Sequence, residues 1–345
     1  MDLVGLTNGK FHGFPVRRKL RKEEIDSEIS KSREQETPAR DLISVIKIND
    51  CYMEMVDRWY VHKGQGVFAG VMFFMLGGLG LSVVGLATLL GGDWLFFIFV
   101  VVTCAGPIAL GWSFFRLEAF QLTHYPVRLN RKSRMVYAIL PRGDMVKVKW
   151  EDIFVYLAEN KIAWFPKSFY EIRAHVLDGD RKNVLQTFSL GYPAWGEKEY
   201  ALGIWEFIRR YMEEPDGYEK NSDLIELCMP VDKERESLSF CIVRGLGMLA
   251  FSPIAQLLLS PLYVPLVWGR MVAVYTSKRP QWPDDVEAQC QTEKDDPYAK
   301  TADDNAPFSF VEGTWPIICF CIGSLITLSG IIWAAYTYFM MFVNG

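Results

Sequence analysis

Histidine is scarce in this chain: His12, His62, His124 and His175 are the only four among 345 residues. None stands at metal-ligand spacing from another histidine or a cysteine, which excludes the zinc-finger and zinc-hydrolase patterns. His124 and His175 alternate with apolar residues, so a structural role is the simpler reading for both. The motifs G-x-S-x-G, Walker A, G-x-G-x-x-G and H-E-x-x-H are also absent. Gly245 and Gly247 fall inside an apolar block and read as packing positions. The acidic pairs Asp284/Asp285, Asp295/Asp296 and Asp303/Asp304 lack the spacing of a calcium loop. No enzyme, cofactor or metal is therefore expected.

Cysteine gives no disulfide framework. Cys104, Cys241, Cys319 and Cys321 lie in apolar blocks, where the residue behaves as a small hydrophobe. Cys51 and Cys228 fall in segments expected in a reducing cytoplasm, and Cys290 stands alone in a polar loop. An odd total of seven fits free thiols. The net charge of −4 is mild, and no basic domain or recognition helix occurs, so no nucleic-acid partner is expected. The basic patch from Arg17 to Lys22 runs into Glu23, Glu24 and Asp26 instead of an apolar stretch, which excludes a signal peptide there.

What the chain has in abundance is uncharged apolar sequence gathered into blocks. About 20 such residues cross the hydrocarbon of a bilayer as a helix. The expected fold class is a helical membrane protein of about four spans, carrying an inserted cytoplasmic α+β domain. Residues 1–40 read as a disordered polar tail and 41–65 as a juxtamembrane segment, a strand or a helix leading to the membrane. Residues 66–115 read as a transmembrane helical hairpin turning at Gly91–Asp93. Residues 238–275 form a proline-broken membrane segment, read as one kinked span over 245–268, with a re-entrant hairpin or two short passes as the alternative. Residues 276–314 read as an extended acidic loop, and 315–345 as a last transmembrane helix. Gln256 is the best polar candidate within a span.

Basic residues set the expected orientation. Lys47, Arg58, Lys63 and Arg116 flank the hairpin, whereas its turn carries none. The N-terminus and the middle domain are accordingly expected in the cytoplasm, the acidic loop outside and the C-terminus inside. Arg270, Lys278 and Arg279 count against that placement of the loop.

The middle segment, 116–237, alternates like short antiparallel strands. Strands are expected over 120–125, 126–130, 135–140, 145–150, 153–157, 168–177 and 183–189, with turns at 131–133, 141–144 and 178–180 and a further turn at 193–196. A helix over 197–214 follows, with Tyr200, Ile204, Phe207, Ile208 and Tyr211 on one apolar stripe. Strands closed by a C-terminal helix suggest an open sheet or partial barrel, in the manner of a pleckstrin-homology-like fold.

Two sets of residues bear on binding. Gly70, Gly77 and Gly78 in the first span would let a partner helix approach closely. Arg128, Arg131, Lys132 and Arg134 form a basic cluster suited to lipid headgroups, or simply a turn kept soluble by charge. The bilayer is the expected partner, and a homo-oligomer stays open.

The stretches Leu129–Tyr137 and Val148–Ile153, with Arg279–Pro283, Val286–Ala288 and Asp296–Tyr298, carry a resemblance. They resemble an uncharacterised family of proteobacterial membrane proteins often encoded beside type VI secretion effectors. The resemblance implies an inner-membrane immunity or accessory protein, with a membrane-acting, pore-forming toxin as its partner. It supplies no active site. The residues themselves leave a second reading open: a membrane-anchored scaffold or signalling module with a partner- or lipid-binding domain.

Overall fold

The computed structural model describes residues 14–141, 143–161, 167–292 and 295–344. In chain order the first elements are β1 (Arg18–Lys19), α1 (Lys22–Asp26), β2 (Val45–Ile48) and β3 (Tyr52–Met55). Helices α2 (Gln65–Gly80), α3 (Leu86–Leu90) and α4 (Trp94–Glu118) follow. Then come β4 (Val127–Asn130), β5 (Met135–Ile139), β6 (Met145–Lys149), β7 (Ile153–Asn160), β8 (Phe169–Leu177) and β9 (Asn183–Trp195). The chain ends with α5 (Lys198–Glu213), α6 (Gly217–Leu224), α7 (Leu238–Leu246), α8 (Pro253–Thr276), α9 (Asp284–Gln289) and α10 (Trp315–Asn344).

These elements form two compact units. A sheet unit contains the chain up to His62, Leu122–Arg235 and Arg279–Ala306, and a helical unit contains Lys63–Gln121, Glu236–Lys278 and the chain from Pro307 on.

The sheet unit has two antiparallel sheets, ordered β2-β3-β4-β5-β6 and β1-β9-β8-β7. Alternation sets the inner faces. Val146 and Val148 of β6 point inward while Lys147 and Lys149 point to water. Ile153 and Val155 of β7 join the same core, whereas Phe154, Tyr156 and Ala158 cover the opposite face. Helix α5 closes that core with Ile204, Trp205, Phe207, Ile208 and Tyr211, all fully buried, and Trp205 stacks on Trp150 at 5.7 Å between ring centres. Tyr200, expected on this stripe, is exposed instead, and Trp205 does its work. The strand expected over 120–125 is absent, and β4 begins at Val127; Pro193–Trp195, expected as a turn, continues β9.

Two expectations fail here for one reason. The tail over 1–40 is ordered from residue 14 onward, and only residues 1–13 lie outside the described residues. It crosses one sheet from edge to edge. Arg18 and Lys19 pair with β9, and Ser27, Glu28 and Ile29 pair with β7 at the other side. The acidic loop likewise belongs to the sheet unit: Arg279–Ala306 packs on the outer face of the five-stranded sheet, where Val286 and Cys290 cover Cys51, Tyr52 and Tyr137. Both stretches are polar overall, and backbone pairing and single buried charges hold them, not a periodic apolar face. The segment at 41–65 supplies β2 and β3, the strand alternative. Arg279–Ala306 thus folds in one unit with Leu122–Arg235, where the sequence pattern suggests a separate extended loop.

Among the described residues, four helices are long and apolar enough to cross a membrane: Tyr60–Leu90, Trp94–Glu118, Pro253–Thr276 and Phe310–Met340. The first, through a π-helical turn at Leu81–Gly85, pairs antiparallel with α4. Asp93 starts α4 by accepting from Phe96 N–H at 3.1 Å. The expected kinked span over 245–268 is two helices, because the chain breaks at 250–252 and Ser252 caps a new helix at Pro253. Proline at the first helical turn begins a helix and does not kink one. Pro261 and Pro265 lie inside α8, and each deprives a carbonyl of its helical donor. Ser260 Oγ donates to the freed Leu257 carbonyl at 2.9 Å, and Thr327 Oγ1 of α10 lies 2.9 Å from the Pro261 carbonyl. Substitute donors of this kind let a proline-bearing helix survive in lipid.

Candidate functional site

The most elaborate polar site lies where Arg279–Ala306 meets the five-stranded sheet. Arg128 on β4 is fully buried. Its guanidinium donates to Glu54 Oε2 on β3 at 2.9 and 2.7 Å and to Glu287 on α9 at 3.2 Å. It is flanked by the rings of Tyr52 and Trp282 at 4.4 and 4.7 Å. Trp282 also donates its indole N–H to Glu54 Oε1 at 3.1 Å. β4 and β3 are in register Arg128 to Glu54, which sets the two charges side by side on one sheet face. Two neighbours extend the contact: Tyr137 O–H donates to Gln289 Oε1 at 2.6 Å, and Asn130 Nδ2 to the Gln289 carbonyl at 2.8 Å. Lys147 pairs with Asp285 at the rim. A desolvated, ring-flanked arginine of this kind anchors one segment on another.

A second buried cluster pins the N-terminal segment. Glu24 of α1 receives a bidentate pair from Arg18 at 2.8 and 2.5 Å and the Arg21 N–H at 2.9 Å. Its Oε1 also lies 3.4 Å from His175 Nε2, while His175 Nδ1 meets Thr187 Oγ1 at 2.8 Å. Burial opposes ionisation of Glu24, but His175, Arg18 and the Arg21 N–H outweigh it and hold the carboxyl far below its usual range. Burial also pushes the His175 imidazole below its usual range, against the pull of Glu24. Hydroxyl, imidazole and carboxylate are in line as in a hydrolytic triad. Yet His175 is fully buried and the carboxylate is neutralised by Arg18. His124 is buried too and meets Thr123 Oγ1 at 3.0 Å. Glu171 is buried as well; burial raises its pKa, but Arg58 and Arg173 outweigh that and hold it ionised.

The helical unit carries its own polar joint. Glu118 at the end of α4 accepts from the N–H groups of Gly64, Gly66 and Val67 at 2.9, 2.9 and 3.2 Å, satisfying the start of α2. Arg270 near the end of α8 binds Glu236 at 2.9 and 2.6 Å, both side chains buried. Gly64 has φ +101, and a Cβ there would fall 2.3 Å from Arg270 N, so only glycine fits this crossing. Gln256 donates to the Leu246 carbonyl at 3.2 Å, closing the end of α7.

The sequence-predicted sites are redistributed. Each member of the basic cluster holds acceptors of this chain, and Lys132 alone keeps half of its side chain exposed. Arg128 is buried as described; Arg131 donates to the Glu214 and Pro215 carbonyls, Lys132 pairs with Asp50, and Arg134 with Glu151 and Glu213. Gly70 and Gly77 serve the chain's own hairpin: a Cβ would meet Gly111 O at 2.7 Å and Ile108 Cγ1 at 2.7 Å. Of these three, Gly78 alone faces open space. Among the described residues, no group of three histidine, cysteine, aspartate or glutamate side chains could hold a metal. Sequence reasoning missed Glu54, Glu118 and Glu236, since no spacing marks a carboxylate whose partner lies far along the chain, and Glu24, whose Arg18 is only six residues away, because its burial against His175 leaves no local mark.

The two distant stretches that carried the resemblance, 129–137 and 279–288, turn out to be neighbours in space through Asn130, Tyr137, Trp282 and the residues around them. No curated protein and no solved structure matches the chain. A model for a family of unknown function, DUF6708, matches residues 107–294, more than half of the 345 residues, and spans both stretches. The chain belongs to the DUF6708 family.

Proposed function

We propose that the protein is a membrane-anchored, non-catalytic binding module, a scaffold or sensor whose sheet unit meets a partner at the membrane surface. One observation carries this reading. The chain passes between the sheet unit and the helical unit five times, so the sheet unit is stitched to the membrane part by five connections. A flexibly tethered enzyme domain needs one. The buried charges support it too, since they fasten segments together instead of lining a cleft. The order β3 to β6, then β7 to β9, then α5, with the α2–α4 hairpin spliced between β3 and β4, supports a pleckstrin-homology-like reading of the sheet unit.

Basic residues supply the orientation of the proposal. The turns at 91–93 and 250–252 and the last 31 residues contain no Lys or Arg, whereas Arg58, Lys63, Arg116, Arg235, Arg270, Lys278 and Arg279 all flank ends that lead to the sheet unit. With Arg279–Ala306 moved to that side, the residues that opposed the earlier orientation support it. The sheet unit faces the cytoplasm of a bacterial inner membrane, and α10, leaving it for the last time, carries the C-terminus across.

The immunity reading has one observation in its favour. Gly78, Gly106 and Gly330 have no atom within 4 Å of a built Cβ, so small residues on α2, α4 and α10 face outward among exposed apolar side chains. A toxin helix could pack there. In-cell photocrosslinking from the full chain separates the two readings. The module reading expects discrete protein adducts from exposed Leu185 and Leu224 of the sheet unit. Adducts only from positions 78, 106 and 330 transfer the weight to a membrane partner, and adducts from neither set contradict both.

A further inference from the structure

We propose that Cys51 and Cys290 form a redox-active thiol pair whose disulfide locks Arg279–Ala306 onto the five-stranded sheet. The two residues lie far apart in the chain. Cys51 is in the β2–β3 turn and Cys290 follows α9. The fold brings both into one small cluster with Tyr52, Tyr137 and Val286, where they are 3% and 5% exposed. One amide nitrogen, Asn130 Nδ2, lies 3.6 Å from Cys51 Sγ and 3.5 Å from Cys290 Sγ. Cys51 Sγ also reaches the carbonyl of Gln289, the residue before Cys290, at 3.7 Å. Both thiols therefore converge on one point from the two surfaces that the Arg128 clamp holds together. No other two of the seven cysteines share a hydrogen-bond partner among the described residues.

The chemistry is thiol–disulfide exchange with a small-molecule disulfide as oxidant. One cysteine, as thiolate, attacks that disulfide, forms a mixed disulfide and expels one small thiol. The second cysteine then attacks the protein sulfur of the mixed disulfide and expels the other. The protein loses two protons and two electrons, and the oxidant is reduced to two thiols. The bond would fix the segment that joins α8 to α10, whatever the state of the noncovalent clamp.

Full-length protein in detergent, treated with oxidised glutathione and digested without reduction, tests this. The expected product is a peptide pair joined at Cys51–Cys290 that dithiothreitol separates. Amide exchange over 284–290 should slow several-fold in the oxidised form. Cys51→Ser and Cys290→Ser should each abolish the joined peptide, and Cys228→Ser should leave it unchanged. Free thiols at both positions, or separate glutathione adducts without the joined peptide, would overturn the proposal.

Discussion

Thr327 Oγ1 of α10 lies 2.9 Å from the carbonyl of Pro261 in α8, the group that Pro265 leaves without a backbone donor, and 2.8 Å from Gly323 O of its own helix, so the two acceptors share its one proton. The contact repairs a break in one helix with a side chain from another, so it couples helix integrity to helix packing. Thr327→Val keeps the shape and removes the donor. It should lower the thermal stability of the detergent-solubilised protein by about 1 kcal/mol, whereas Thr327→Ser should stay near the parent. Equal melting of the valine variant and the parent would show that the carbonyl finds another donor.

Arg128 makes the corresponding claim for the sheet unit. Arg128→Ala removes the closest counter-charge of buried Glu54 and leaves it only Lys47 at 3.8 Å and the Trp282 N–H, which costs about 3 kcal/mol, the low end for a broken buried pair. Arg128→Lys should rescue little, because an ammonium cannot make the forked contact or lie flat between Tyr52 and Trp282. Hydrogen exchange over 282–289 reads the effect directly. Faster exchange there than in β7 and β8 is expected, and an unchanged segment would mean that the clamp does not hold it.

Asp41 gives a pH dependence of known sign. Its Oδ2 is buried without a partner, and burial raises its carboxyl from 3.8 to about 6. A raised folded-state value means that the stabilising contribution is complete below 3.8 and is lost as the pH rises through about 6. Asp41→Asn should therefore be more stable than the parent near neutral pH, by about 1–2 kcal/mol, and equal to it in acid. Denaturation midpoints of both proteins across this range would check it; a constant difference would remove Asp41 as the cause.

The glycines of the first span divide into two classes. Gly70→Leu should break the α2–α4 hairpin, since a Cβ alone already overlaps the Gly111 carbonyl and the Phe115 backbone. Gly78→Leu should leave folding intact to within about 0.5 kcal/mol, because nothing lies near it. Thermal melting and monodispersity in detergent distinguish them. Equal damage from both would point to a self-association face at Gly78.

Much of this was legible in the sequence wherever apolar periodicity carried the information. The hairpin turning at Gly91–Asp93 and the α5 stripe of Ile204, Phe207, Ile208 and Tyr211 stand where the pattern indicates. So does the β8–β9 turn, where Asp178 accepts from the Lys182 and Asn183 N–H groups. The failures share a different physics. The 14–40 segment is held by Glu24, by Ser27–Ile29 pairing with β7, and by the Gln35 N–H on buried Glu206 of α5. Arg279–Ala306 is held by Arg128 and Trp282. A charge that will be buried looks the same in sequence as one that stays in water. Its partner, often more than a hundred residues away, leaves no local spacing to read.

The side of the membrane on which Arg279–Ala306 lies tests the account most directly. Single reporter sites at Asp93, Asp180, Asp296 and after Gly345 of the full chain would give four locations. The account predicts the same side for Asp180 and Asp296, and the opposite side for Asp93 and the C-terminus. Opposite sides for Asp180 and Asp296 would contradict it, because one folded unit cannot hold both.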